Sequence, residues 1–200
     1  MASTVDICNA ALTKLGESRI TDLSDDVKGA REMNAVYDLR RKALLRAYLW
    51  SFSMERVSLT ALADAPDWGY TVQYQLPADC LRVVQVSDTW DVPGMADYMN
   101  GPDMELYRIE GRTIRTDLSA PLPLRYVKNV TDPNQFDALF VEALSDDLAL
   151  TTCEAITQSS TKKEDLRAAK KESILLAVRA NAIELPPQII PDSSWILSRL

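Results

Sequence analysis

The chain has 200 residues, 46 % hydrophobic and 26 % charged, and its 22 basic against 29 acidic side chains leave a net charge of −7. This is the composition of a folded globular chain, and it excludes disorder and fibrous repeats; the acidic balance also opposes a grip on nucleic acid phosphate. No apolar run approaches the roughly 18 residues of a membrane span, and the opening MASTVDIC lacks the basic and apolar regions of a secretory signal, so synthesis in a cytosol is expected.

Val5, Cys8, Leu12 and Leu15 recur at helical spacing, with Ser3 or Thr4 to cap the start and Gly16 to supply the left-handed residue that ends a helix. Ser24, followed by Asp25 and Asp26, places a cap and two acids at the positive end of a second helix running to about Tyr48. Gly29 inside it predicts a close approach by another helix. From Trp50 the period changes, and candidate strands follow at YTVQYQL, LRVVQVS, MELYRI, RTIRT and PLRYVKNV, with a tight turn at Glu110 and Gly111. The Pro-, Gly- and Asp-containing stretch between Asp88 and Asp103 reads as a long projecting loop. Asp132 and Pro133 open a third helix carrying Phe136, Phe140, Leu144 and Leu148. In a fourth, TKKE is a capping box joining Thr161 and Glu164, and Leu166, Ala169, Leu176, Ala180 and Ile183 stripe one face.

Proline is missing from residues 1–65 and 134–185 but frequent between them. The expected fold is therefore α+β: a four-helix bundle assembled from the two chain ends (1–49 and 132–184), a central antiparallel β-rich domain (50–131), and an extended C-terminal arm (185–200). Three prolines keep helix and central strand out of that arm, LPPQIIPDSSWILSRL, yet Ile189, Ile190, Trp195, Ile196 and Leu197 are too apolar for solvent, so it needs a surface to lie on.

Chemistry-bearing patterns are scarce. The chain has no histidine, which excludes Ser-His-Asp and Cys-His nucleophile systems, and it has neither a GxxxxGK[ST] nor a GxGxxG phosphate loop. Cys8, Cys80 and Cys153 lack metal-ligand spacing and read as structural thiols; no metal and no cofactor is expected. A glycosidase needs two carboxylates roughly 5 to 10 Å apart, but Asp146 and Asp147 diverge by about 100° around a helix and read as solvated or helix-end acids. Trp50, Trp68 and Trp90 read as core or contact residues. Charge is uneven: residues 60–105 hold eight acids and one cation, Arg82, whereas residues 27–46 hold six cations and two acids and could meet an acidic partner.

The order of these features, ICNAALTKLGESRITDL, a long helix ending LLRAYLWSFSMERVSL, YQLPADCLRVVQV, a helical hairpin and a Pro-broken SSWILSRL, resembles the tail tubular protein A family, the head-to-tail adaptors of short-tailed bacteriophages. Ser51 and Ser53 depart from the commoner junction wording of that family. The resemblance implies a structural virion protein with no catalytic residues: a homo-oligomeric ring of about twelve copies in the tail, between the portal protein and the nozzle or hub, made in the host bacterial cytoplasm. DNA would pass through without specific binding. Ile189, Ile190, Trp195, Ile196 and Leu197 would then dock on neighbours, and Asp88, Asp91, Asp97 and Asp103 would face the channel or nozzle and repel phosphate. The alternative is a cell-wall or glycan hydrolase using paired carboxylates; a DNA-binding module would require a basic stripe.

Overall fold

A computed structural model of the chain describes residues 3–87 and 106–184. Among these residues lie four α-helices, α1 (Thr4–Leu15), α2 (Lys28–Ala47), α3 (Ala138–Thr157) and α4 (Ser160–Glu184), and six strands, β1 (Met54–Leu59), β2 (Val72–Gln75), β3 (Cys80–Val86), β4 (Tyr107–Glu110), β5 (Thr113–Thr116) and β6 (Leu122–Lys128). The fold is mixed α+β, with two small antiparallel sheets in the orders β1-β6-β3 and β2-β5-β4.

Helix α1 follows expectation at both ends. Ser3 and Asp6 form a reciprocal capping box, and Gly16, at φ +75°, returns its amide to the carbonyls of Leu12 and Thr13. Gly29 meets α1 closely: a Cβ there would stand 3.1 Å from Leu12 Cδ2.

Three other helix starts differ from the sequence reading. The Asp25 carboxylate accepts from the amides of Thr21 and Asp22, at 2.8 and 3.1 Å, so it closes the preceding loop; α2 begins at Lys28 behind Val27, with no side-chain cap. Asp132 and Pro133 open a 3-10 turn (Pro133–Gln135), after which Phe136 is extended so that its ring meets Phe52 and Phe140. Asp137 then caps α3 by accepting from Leu139 and Phe140. At α4, the connection from α3 is only Gln158 and Ser159, which brings Ser159 rather than Thr161 to the cap: Ser159 Oγ accepts from the Lys162 amide, and Glu164 pairs with Arg167 instead.

All five strand stretches form strands, and the hairpin joining β4 to β5 turns at Gly111 and Arg112, one residue later than expected. Strand alternation sends Val57 and Leu59 of β1 and Leu122, Leu124 and Tyr126 of β6 into one apolar cluster with Tyr74, Leu76 and Ile114 from the second sheet's side, and an irregularity between Val83 and Gln85 brings Val83 and Val86 of β3 to the same cluster. A separate cluster joins the helices, with Ile7, Leu12, Met33, Leu45, Phe140, Leu144 and Leu148 among its members.

Two devices tie the helices to the strands. Arg41 is fully buried on α2, where its guanidinium donates to Asn129 Oδ1 at 2.9 Å and to the Val130 carbonyl just past β6, and pairs with Asp38 at 3.2 Å. Trp50 sits where α2 hands over to β1. Its indole Nε1 donates to the Leu44 carbonyl at 3.0 Å, and its ring lies 5.1 Å from Phe140 and 5.7 Å from Tyr48, centroid to centroid. Trp50→Ala is expected to cost about 3–5 kcal/mol, read as a fall in the urea midpoint at unchanged slope.

Candidate functional site

The residues singled out from sequence for partner contact, Ile189, Ile190, Trp195, Ile196 and Leu197, and those for the channel, Asp88, Asp91, Asp97 and Asp103, lie outside the described residues, as does Trp90. The described residues offer other groupings: a buried charge cluster, the thiols, the outer side of α4, and the solvent face of the first sheet.

The charge cluster corrects the reading of Asp146 and Asp147 as solvated acids, for both are buried. Asp147 takes Arg40 of α2 in a bidentate pair, Nε to Oδ2 at 2.8 Å and Nη2 to Oδ1 at 2.6 Å, and Lys170 of α4 at 2.7 Å. Those hydrogen bonds raise the Arg40 pKa above its ordinary value. Asp146 turns instead to α1, where Lys14 Nζ lies 2.6 Å from its Oδ1, 2.5 Å from Glu142 and 2.9 Å from Ser145 Oγ. The 100° between adjacent helical positions therefore aims two carboxylates at three different helices. Burying acids requires paired cations, and Lys14, Arg40 and Lys170 each come from a different helix, which makes the cluster a clamp on helix packing. It also takes Arg40 out of the basic surface read over residues 27–46; Arg41 is buried, and Arg46 donates to the Leu81 carbonyl.

Helix α4 is rotated by these contacts. Lys170 faces Asp147, and Asn181 bridges the Ser51 amide and the Leu49 carbonyl at 2.7 and 2.8 Å. The buried positions are accordingly Leu166 and Ala177. Of the expected stripe only Leu166 is buried and Ala180 is half-buried; Ala169 is exposed, Leu176 is 50 % and Ile183 84 % exposed, beside Leu175 at 48 %. Leu176 also borders a groove of about 550 Å³ whose other wall includes Lys14, Glu142 and Asp146. No signal in the sequence marks Leu176 as external, because the rotation is set by distant polar partners.

On the first sheet, Arg56 and Arg125 stand directly opposite each other in the β1–β6 register, and Gln85 of β3 opposes Arg125 from the other side. All three point away from the apolar cluster, into a groove of about 480 Å³ that Ser58, Ser87 and Pro123 also line. Sequence reading missed this pair, since positions 56 and 125 are unrelated until the strands pair.

The thiols are free, with Cys8 and Cys153 buried and Cys80 half-buried. Burial pushes the Cys8 thiol up to about 12 and also raises Cys80. Among the described residues no group of three metal-ligating side chains comes together. No helix among them is long and apolar enough to cross a membrane. The chain matches no protein-family model, and a search of curated proteins returns no match.

Two outcomes follow from these groups. Asp147→Ala leaves Arg40 and Lys170 facing each other without their acid and is expected to cost about 3–5 kcal/mol, whereas Asp147→Leu combined with Arg40→Met and Lys170→Met recovers most of that loss in chemical denaturation. Iodoacetamide at neutral pH is expected to modify Cys80 first, with Cys8 and Cys153 labelled only after urea is added, as mapped by mass spectrometry.

Proposed function

We propose that this chain is a head-to-tail adaptor of a short-tailed bacteriophage: a structural subunit that forms a ring of about twelve copies between portal and tail nozzle and continues the DNA channel. In this reading the four helices form a bundle on the portal or nozzle side, the two sheets form a second lobe, and residues 185–200 are an arm that reaches a neighbouring subunit or the portal. The tail of the virion is then its place of action.

The observation that carries the reading is the outer side of α4. Leu175, Leu176 and Ile183 are exposed on its last turns, immediately before a segment holding Ile189, Ile190, Trp195, Ile196 and Leu197. An apolar face continuing into an apolar, proline-interrupted sequence is what a subunit needs when its contacts lie on other chains. Ordering sixteen residues costs on the order of 1–2 kcal/mol each in backbone entropy, so the arm gains a fixed place only where its large side chains are buried. The hydrolase alternative finds no support at Asp146 and Asp147, which are buried in ion pairs with Lys14, Arg40 and Lys170.

Removing residues 185–200 is expected to abolish co-sedimentation with the cognate portal while leaving the far-ultraviolet circular dichroism per residue of the described fold intact. Leu176→Lys with Ile183→Lys is expected to weaken the same binding by at least about tenfold and to change stability by less than about 0.5 kcal/mol per site. Retained portal binding by both variants rejects the reading.

A further inference from the structure

The solvent face of the first sheet holds a charge arrangement that the fold does not need. Like charges directly opposite on neighbouring strands are destabilising, yet Arg56 and Arg125 form such a pair. The groove between them is lined otherwise by Val57, Leu124, Pro123 and the neutral polar Ser58, Gln85 and Ser87. Most other described arginines donate to a carboxylate or carbonyl, as Arg40, Arg41, Arg46 and Arg112 do. No such contact within the described residues engages Arg56 or Arg125. Two planar guanidinium forks converging on one neutral groove present a receptor for carboxylates and for an aromatic face.

The same chain carries the complementary surface. In the connection from β1 to β2, Trp68 is 79 % exposed and is flanked by the exposed acids Asp64 and Asp67. The connection is held at both ends: Gln73 Nε2 donates to the Asp64 carbonyl at 2.8 Å, and the amide and hydroxyl of Thr71 both donate to Asp117 at 2.9 Å. The indole is thus displayed on an anchored turn. None of its residues lines the groove, so the two surfaces do not fill each other within one molecule.

We infer that residues 64–68 of one copy seat in the Arg56–Arg125 groove of a second copy, with Asp64 and Asp67 pairing with the guanidinium groups and the Trp68 ring stacking on one of them. Trp and Arg are the side chains that most often dominate protein interfaces. On a chain of net charge −7, an arginine groove also steers an acidic turn of an identical subunit toward itself. Because the contact joins two different patches, it is heterologous and propagates from copy to copy, closing into a ring where the rotation permits. It takes the presence of neighbouring copies from the adaptor reading and names the side chains that join them.

The test places photoreactive p-benzoylphenylalanine at position 68 of the full chain and mixes nitrogen-14 with nitrogen-15 chains at millimolar concentration before illumination. Mixed-isotope cross-links from position 68 to peptides of β1 or β6 are expected. Arg56→Glu with Arg125→Glu is expected to reduce them at least about tenfold, Arg56→Gln with Arg125→Gln to reduce them without reversing charge, and Asp64→Arg with Asp67→Arg on the photoreactive chain to restore them to the Glu variant. Cross-links confined to one chain, directed elsewhere, or unaffected by the arginine changes overturn the inference. So does their absence alongside salt-dependent retention of a labelled DNA oligonucleotide that the arginine variants lose, which makes the groove a phosphate site. Portal binding without these cross-links leaves the adaptor reading standing and removes this contact; the cross-links without portal binding do the reverse.

Discussion

The Asp147 carboxylate organises the helical half of this protein. It sits buried on α3 and is held at once by Arg40 of α2 and Lys170 of α4, while its neighbour Asp146 holds Lys14 of α1. A buried carboxylate without such partners is costly, and the pairs are directional, so they select one angular setting of each helix where apolar contact alone tolerates several. Lys162 of α4 adds a fourth tie by donating to the Leu15 carbonyl at the end of α1, at 2.5 Å, where a cation suits the negative helix terminus.

That setting has a consequence at the surface. With Lys170 and Asn181 turned inward, α4 buries Leu166 and Ala177 and leaves Leu175, Leu176 and Ile183 outside. An apolar face is thus left exposed on the side of α4 turned away from its polar contacts. The proposed adaptor role draws its physical support from this face.

The strands are joined to this frame by a few strong contacts. Arg41 reaches from α2 to the carbonyl end of β6, and Trp50 caps the aromatic group of Phe52, Phe136 and Phe140 at the turn into β1. The two apolar clusters stay distinct, one among the helices and one between the sheets. The outward face of the first sheet carries the Arg56–Arg125 pair, and the connection before β2 displays Trp68.

Local periodicity, capping chemistry and proline placement were enough to mark four helices and the strand stretches, because each depends on residues within a few positions of one another. Gly16 ended α1 and Gly29 received Leu12 as their positions implied. At two helix starts the expected caps, Asp132 and Thr161, gave way to Asp137 and Ser159, through the packing of Phe136 and the short α3–α4 connection. Tertiary structure alone decided that Asp146 and Asp147 are buried, that Leu176 faces out, and that Arg56 meets Arg125. Each of these depends on partners far along the chain, and a charge or a methyl group acquires its energetic meaning only from what folding places beside it.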